Sequence, residues 1–262
     1  MKLQDNIAII TGGGKGIGFG CAKVFAEHGC HAVIADKDEA DGSTAAQAIT
    51  DTGGKASFQR CDVTVEADIQ SVIEGTAETH GRLDCIVNNA GWHPPAMTIE
   101  QTSVADFEAQ LRLNLTGTFM GCKYAVPHLR ASNGNIVIVS SEVALIGQGD
   151  ACAYAASKSG QLGLMRALAI DLAPEGIRVN AVCPSCVMTP LMQEWSESLP
   201  DPDGALKMVK HFQAIGRMAS IEEIGEVCAF LASGESSFVT GQAIAADGGA
   251  MLGYGIKSGD AQ

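Results

Sequence analysis

Three residues of the chain carry side chains suited to moving a proton to or from an alcohol. Tyr154 and Lys158 are four residues apart in a stretch of helical period, so both face the same way, and Ser141 ends an apolar, β-branched run thirteen residues before Tyr154. A phenol with a pKa of about 10 is a poor base near neutrality, and lowering that pKa to about 7 takes about 4 kcal/mol. We expect two cations, Lys158 and an oxidised nicotinamide, to supply it.

These residues suggest a division of labour. Tyr154 would remove the alcohol proton while a hydride leaves the carbon, Ser141 would hold the oxygen, and Lys158 would also bind the nicotinamide ribose. Asn114 lies in a helical stretch that its type disfavours, so we expect it to hold a water that relays the proton. Each residue taken alone has an ordinary structural interpretation: a solvated lysine, a tyrosine at a helix start and a serine at a strand end. Their joint spacing favours a catalytic role.

A glycine-rich turn follows the first apolar run. Residues 11–18 read TGGGKGIG, which places Gly12, Gly16 and Gly18 in a G-x-x-x-G-x-G spacing directly before a helical segment. Glycine permits positive φ and lets the backbone approach a pyrophosphate at the helix N-terminus. The strict G-x-G-x-x-G pattern fails, and so does a phosphate loop, because Gly16 rather than Ser or Thr follows Lys15. A flexible turn without a ligand remains the alternative.

Asp36 ends the second predicted strand, 18 residues after Gly18. A carboxylate there can accept both ribose hydroxyls of an adenosine, whereas a 2′-phosphate would meet like charge. This position predicts NAD rather than NADP, although Lys37 would soften the repulsion. The alternative role for Asp36 is the N-cap of the next helix, which Asp38 could fill equally well.

The elements that must position these residues alternate between short β-branched runs and longer helical segments, which predicts the α/β class. We expect a single Rossmann-type, doubly wound, seven-stranded parallel sheet with helices on both faces, in one domain over residues 1–262. Its long aperiodic stretch, about residues 184–218, predicts a substrate lid with a short helix near Leu191. The predicted strands are 7–11, 31–36, 56–62, 85–89, 135–140, 178–183 and 242–246, and the predicted helices are 16–28, 39–52, 66–80, 104–130, 154–173 and 221–232.

Composition narrows the partners and the compartment. The chain has 262 residues and a formal charge of -13, so nucleic acid and anionic membrane surfaces are not expected as partners. Nine scattered cysteines lack the density of a disulfide scaffold and suggest reduced thiols in the cytoplasm. No metal is expected, since the H-E-x-x-H motif is absent. Cys183 and Cys186 form a C-x-x-C motif without a second pair, and redox chemistry at this motif remains an alternative. Cys152, two residues before Tyr154, is the thiol better placed to explain a sensitivity to oxidants.

Nearly the whole chain resembles the short-chain dehydrogenase/reductase family. The matching segments are TGGGKGIG at 11–18, Asp36, Cys61-Asp62-Val63, Asn88-Asn89-Ala90-Gly91, Asn114, Ser141, Tyr154-Ala155-Ala156-Ser157-Lys158 and Asp247-Gly248-Gly249. The chain departs from the family at Pro184-Ser185, where Pro-Gly is common, and this puts the local backbone shape in doubt.

The resemblance implies a set of cofactor contacts and an assembly. The tetrad would be Asn114, Ser141, Tyr154 and Lys158. The dinucleotide contacts would be Gly12, Lys15, Gly16, Ile17, Gly18, Asp36, Asp62, Val63, Asn89, Ala90, Gly91, Tyr154, Lys158, Val187 and Thr189, with Asp62 and Val63 at the adenine and Val187 and Thr189 at the carboxamide. The family is usually tetrameric or dimeric, which implies a homotetramer or homodimer built on helices 104–130 and 154–173.

The expected substrate is a neutral secondary alcohol, sugar or polyol. Four acids and no base lie between Thr189 and Gly204, which disfavours anionic acyl carriers. Segments such as Gly216-Arg217-Met218 and Gly253-Tyr254-Gly255 resemble the subgroup that contains L-fucose dehydrogenases and the type 14 17-beta-hydroxysteroid dehydrogenase. We expect His93, Ser141, Gln148, Tyr154 and Trp195 near the substrate. A hydroxysteroid dehydrogenase, a 3-ketoacyl reductase and a non-catalytic dinucleotide sensor are the alternatives.

Overall fold

The computed structural model describes residues 1–252 and contains one seven-stranded, all-parallel sheet. The strands are β1 (Ile7–Thr11), β2 (His31–Asp36), β3 (Lys55–Arg60), β4 (Cys85–Asn88), β5 (Asn135–Val139), β6 (Arg178–Pro184) and β7 (Ala243–Ala246), in the order β3-β2-β1-β4-β5-β6-β7. The predicted α/β class and doubly wound sheet are confirmed, and each predicted strand agrees to within two residues at either end. The Gly253-Tyr254-Gly255 segment lies outside the described residues.

Helices cover both faces of the sheet because each strand buries side chains on both sides. Against one face pack α1 (Gly16–Glu27), α2 (Glu39–Asp51) and α10 (Ile221–Ala232). Against the other pack α3 (Glu66–His80), α5 (Gly117–Ser132) and α7 (Cys152–Leu172), while α4 (Val104–Leu111) packs against α7. No helix among residues 1–252 is long and apolar enough to cross a bilayer.

The sheet reverses its strand order between β1 and β4, and this places the glycine-rich turn beside the end of β4. In open α/β sheets, ligands bind at the carboxyl ends of the strands at such a switch point. The turn after β1, the loop after β4 and the segments after β5 and β6 therefore share one edge of the sheet.

Two predicted elements need correction. The expected continuous helix over 104–130 is interrupted by a π-helical turn, Arg112–Thr116, which separates α4 from α5. The lid holds two helices rather than one, α8 (Pro190–Glu197) and α9 (Pro202–Lys210), because Pro190 and Pro202 each occupy a first-turn position behind a capping side chain, Thr189 or Asp201. A short helix, α6 (Val143–Ile146), was not predicted.

Candidate active site

The glycine-rich turn is packed so closely at Gly12 and Gly18 that these two positions do not accommodate a side chain. Gly12 has a φ of 63°, and a Cβ added to Gly18 would lie 2.0 Å from the Gly12 carbonyl oxygen. Asn89 ties the turn to the end of β4, because its Nδ2 donates to the carbonyls of Thr11 at 2.9 Å and Gly12 at 3.1 Å. The Thr11 hydroxyl, which the sequence did not single out, accepts hydrogen bonds from the backbone N–H of Asn89 and of Ala90.

Asp36 faces this turn and does not cap the next helix. Its Oδ2 accepts a hydrogen bond from the Gly14 N–H at 2.9 Å, while Asp38 caps α2 by accepting from Ala40 and Asp41. The N-cap alternative for Asp36 is therefore wrong, and the half-buried carboxylate lies beside the turn at the edge where an adenosine ribose would lie. The Lys15 ammonium forms an ion pair with Asp41 at 2.9 Å.

The outer ends of the predicted cofactor surface are formed by two further segments. Asp62 accepts hydrogen bonds from the backbone and hydroxyl of Thr64, which lower the pKa of its carboxyl, and Val63 is buried. Val187 pairs with Ala219 in an isolated bridge, and the Thr189 hydroxyl caps α8.

Glycines leave room for a dinucleotide between these segments. A Cβ on Gly16 would come no closer than 3.7 Å to Thr189, and a Cβ on Gly91 would lie 2.9 Å from Asn114 Oδ1 and 3.5 Å from Lys158 Nζ. The glycine backbone at the N-terminus of α1 can bind a pyrophosphate, and the Asp36 carboxylate can bind a ribose. Together they fit a nicotinamide dinucleotide.

Tyr154, Ser141 and Lys158 meet at the carboxyl ends of β5 and β6. Tyr154 lies in the first turn of α7, which begins two residues earlier than predicted, and Lys158 follows one turn later with its Nζ 5.8 Å from the centre of the Tyr154 ring. The Lys158 ammonium is buried and donates to the Val139 carbonyl at 2.9 Å. The Ser141 hydroxyl accepts from the Val143 N–H at 3.2 Å, which orients it in the loop after β5.

The pKa of Tyr154 is raised in the polypeptide alone. Burial, with a smaller contribution from the nearby Glu142 carboxylate, raises it to about 12, and the Ser141 hydroxyl acts in the opposite direction. Burial also lowers the pKa of Lys158 to about 8. Desolvation dominates the pKa of both groups in the polypeptide alone, and the lowering of the tyrosine pKa by Lys158 together with an oxidised nicotinamide stays a prediction.

Asn114 occupies the π-helical turn between α4 and α5. Its Nδ2 donates to the Ser157 hydroxyl at 3.0 Å and its Oδ1 accepts from the Trp92 N–H at 3.1 Å, so the side chain is buried between the β4 loop and α7. Isolated π-helical turns are frequent at functional sites. Ser157, which joins Asn114 to α7, was not predicted as a site residue, because nothing in the sequence distinguishes it from any other small residue of a helix.

Of the predicted substrate contacts, Ser141 and His93 adjoin Tyr154, and Gln148 contacts His93. The His93 ring lies 4.3 Å from the Tyr154 ring, and its Nε2 is 3.0 Å from Gln148 Oε1. Trp195 lies on α8, partly exposed, and makes no aromatic contact with His93 or Tyr154 within the described part of the chain. A cleft of about 360 Å³, which includes Trp92 and Gln110 in its wall, borders Tyr154 on the side of α4.

Some of the acidic residues in the lid stabilise the lid helices themselves. Asp201 caps α9, and Glu197 accepts from Gln193, so these acids serve the lid helices. The pKa of Lys15 is raised mainly by Asp41 and to a smaller extent by Glu194, so the charge of this lid residue acts on the glycine-rich turn.

A protein-family model confirms what this geometry indicates. The model, adh_short_C2, described as Enoyl-(Acyl carrier protein) reductase, matches residues 12–251. The chain belongs to the short-chain dehydrogenase/reductase family. It is accordingly an oxidoreductase that uses a nicotinamide dinucleotide and acts on a CH–OH group or its carbonyl counterpart.

Curated relatives and solved structures extend the same match over nearly the full chain. L-fucose dehydrogenase of Bos taurus is 44% identical over 260 residues, covering 99% of this chain and 94% of that protein. Cis-4-hydroxycyclohexanecarboxylate dehydrogenase of Sinomonas cyclohexanicum is 38% identical and covers 94% and 97%. The crystal structure of gox2181 superposes with a TM-score of 0.90 at 31% identity, covering 96% of this chain and 98% of that one.

Proposed function

We propose that this protein oxidises a neutral secondary alcohol, with an L-fucose-like aldose or a polyol favoured, and passes the hydride to NAD. The observation that carries the proposal is the approach of Tyr154, Ser141 and Lys158 to the glycine-rich turn at one edge of the sheet. The names of the bovine and Sinomonas relatives, one for a sugar and one for a ring alcohol, support the reaction class.

The proton chemistry is assigned to side chains of this chain. A bound nicotinamide dinucleotide would supply the acceptor for the hydride of the alcohol carbon. Tyr154 removes the hydroxyl proton, and Ser141 donates a hydrogen bond to the reacting oxygen. Lys158 binds the ribose and opposes the rise in the Tyr154 pKa, and Asn114 holds a water that relays the proton.

NAD rather than NADP is proposed on the charge of Asp36. Its carboxylate beside the Gly14 N–H favours ribose hydroxyls as donors and repels a 2′-phosphate. The remaining contacts are assigned to the glycine-rich turn, to Asp62 and Val63, to Asn89, Ala90 and Gly91, and to Val187 and Thr189. His93, Gln148 and Trp195 are assigned to the substrate side, although the support for Trp195 is only its place on the lid.

We also propose one catalytic domain over residues 1–262 with a substrate lid at about 184–218, and assembly as a homotetramer or homodimer. The assembly is supported by large apolar side chains that are exposed on the helices with which members of the family pair. These side chains are Val104 on α4, Phe119 on α5 and Ile170 on α7. Nine free cysteines support a reducing compartment, the cytoplasm.

A substrate screen tests the function directly. Purified protein is incubated with NAD or NADP and with neutral sugars, polyols, hydroxysteroids and a 3-ketoacyl thioester, and the absorbance of the reduced cofactor is followed. Turnover of a neutral sugar or polyol with NAD is expected. Reduction of the ketoacyl substrate with NADPH, together with no oxidation of any sugar with NAD, would contradict the proposal.

A further inference from the structure

A polar cluster formed by Glu142, Ser185 and Gln213 lies beside the reaction centre and has no part in the mechanism above. The Ser185 hydroxyl donates to Glu142 Oε1 at 2.7 Å, and Gln213 Nε2 lies 3.3 Å from the same hydroxyl and donates to the Cys186 carbonyl at 3.2 Å. The Glu142 N–H also donates to the Pro184 carbonyl at 2.9 Å. The cluster therefore joins the residue after Ser141 to the segment after β6.

Ser185 stands where the family commonly has the glycine of Pro-Gly, and its hydroxyl makes a contact that glycine could not make. Within residues 1–252 the non-glycine residues with positive φ are Asp5, Asn133 and Asp150, so Ser185 occupies backbone space that any L-residue can adopt. A glycine there would lack the hydroxyl that holds Glu142 Oε1. The serine thus fixes one oxygen of the carboxylate and leaves the other, Oε2, for a different donor.

Glu142 Oε2 is buried and has no hydrogen-bond partner in the described structure. An unpaired buried carboxylate oxygen is costly, and a ligand that supplies a donor removes that cost. The carboxylate is close enough to Tyr154 to raise the pKa of the phenol, and burial together with Asp247 raises the pKa of Glu142 itself. Because Glu142 directly follows Ser141 and its carboxylate acts on Tyr154, an alcohol held by Tyr154 and Ser141 would lie near this acceptor.

We propose, resting on the function proposed above, that Glu142 is a specificity-determining residue whose free oxygen accepts a hydrogen bond from a second hydroxyl of the substrate. The substrate class is then narrower than neutral alcohols: a polyhydroxylated ring or chain with a further hydroxyl near the one that is oxidised. A substrate with a carboxylate at that place meets like charge and is rejected.

A double-mutant cycle between the enzyme and the substrate tests this assignment. The best neutral sugar or polyol of the substrate screen, with L-fucose tried first, is compared with its analogues that each lack one hydroxyl. In the wild-type protein one analogue is expected to lose about 10- to 100-fold in kcat/KM, as for a hydrogen bond to a charged group. In Glu142→Leu the parent substrate loses the same factor and that analogue loses nothing further, because either change removes the same contact.

Other outcomes separate this inference from its foundation. If Glu142→Leu lowers kcat/KM equally for the parent and for every analogue, the residue only positions Ser141 and the inference is overturned. If the screen finds no alcohol that the wild-type protein oxidises with NAD, the proposed function falls and the inference with it.

A variant that gains activity on a second substrate cannot be misfolded, so such a gain is a stricter test than a loss. Glu142→Gln retains an acceptor oxygen without charge, so it is expected to keep more activity on the parent than Glu142→Leu and to oxidise 4-hydroxycyclohexanecarboxylate at least about 10-fold better than the wild-type protein. Glu78→Gln on α3, an exposed acid far from the cluster, serves as the matched control and should change neither substrate. No gain with the carboxylate in Glu142→Gln would count against the charge argument.

Discussion

At the scale of single residues, Tyr154 is the group on which the proposed chemistry depends. Its phenol is the proposed proton acceptor, and Ser141 cannot replace it because an unassisted hydroxyl is a far weaker base. Tyr154→Phe removes only the oxygen and keeps the ring packed against His93. We expect kcat to fall by about 100- to 10,000-fold, with NAD affinity, measured by fluorescence titration, nearly unchanged. Unchanged turnover would mean that another group accepts the proton.

The pH dependence of alcohol oxidation follows from the raised pKa of Tyr154, about 12 in the polypeptide alone. Only the ionised phenol accepts a proton, so kcat at saturating NAD and alcohol should rise with pH across the neutral and weakly alkaline range. Lys158→Met removes the buried cation that favours ionisation, which moves this rise to higher pH. Lys158→Arg keeps a charge and should move it less. A rise at the same pH in Lys158→Met would assign the titration to another group.

Asp36 governs the choice between the two dinucleotides in the proposed mechanism. Asp36→Ala removes the acceptor for the ribose hydroxyls and the charge that repels a 2′-phosphate, so the NAD-to-NADP ratio of kcat/KM should fall by about 10- to 100-fold. Asp38→Ala, which removes the α2 cap, is the control. It should lower the free energy of unfolding, because the cap is lost, and leave the cofactor ratio unchanged. A ratio that does not respond to Asp36→Ala would place the discrimination elsewhere.

At the scale of elements, the pairing of α1 with α10 depends on glycine. A Cβ on Gly225 would lie 2.7 Å from the Gly20 carbonyl oxygen, so the two backbones can approach only while both positions lack side chains. Gly225→Ala is expected to lower the free energy of unfolding by about 1 to 3 kcal/mol, as overpacking does. The measurement is urea unfolding followed by circular dichroism.

A second glycine provides the matched control for this prediction. Gly75 lies inside α3, and a Cβ there would meet only Gln59 Oε1 at an ordinary 3.8 Å. Gly75→Ala should therefore raise the free energy of unfolding by about 0.5 to 1 kcal/mol, the gain expected from helix propensity. Equal effects of the two substitutions would mean that helix propensity, and not the contact between α1 and α10, determines the change.

The elements also show where sequence patterns stop being sufficient. Strands β1 and β2 agree with the prediction at both ends because continuous apolar runs between turn residues specify them locally. The π-helical turn at Asn114 and the second lid helix were not predicted. The first depends on contacts with Trp92 and Ser157 from distant segments, and the second spans only nine residues, which is shorter than the window over which a helical period can be recognised.

At the scale of the whole molecule, the exposed apolar side chains of α4, α5 and α7 lead to a prediction about assembly. Ile170 is 76% exposed near the end of α7, where a charge would be tolerated by a monomer but not by a buried interface. Ile170→Glu is expected to reduce the mass measured by light scattering by at least about half, since a desolvated charge at a subunit contact is strongly unfavourable. Val65→Glu, an exposed apolar position before α3, should leave the mass unchanged. A wild-type monomer would contradict the proposed assembly.

The sequence alone determined which chemistry the chain can perform, because the residues that carry it lie within short local units: a turn after a strand for Gly12 to Gly18, and one turn of a helix for Tyr154 and Lys158. Local spacing determines which face of an element a side chain occupies. Only the tertiary structure decided that burial raises the Tyr154 pKa and that Glu142, Ser185 and Gln213 meet. Both depend on the packing of loops that are far apart in the chain, and no spacing rule describes that packing.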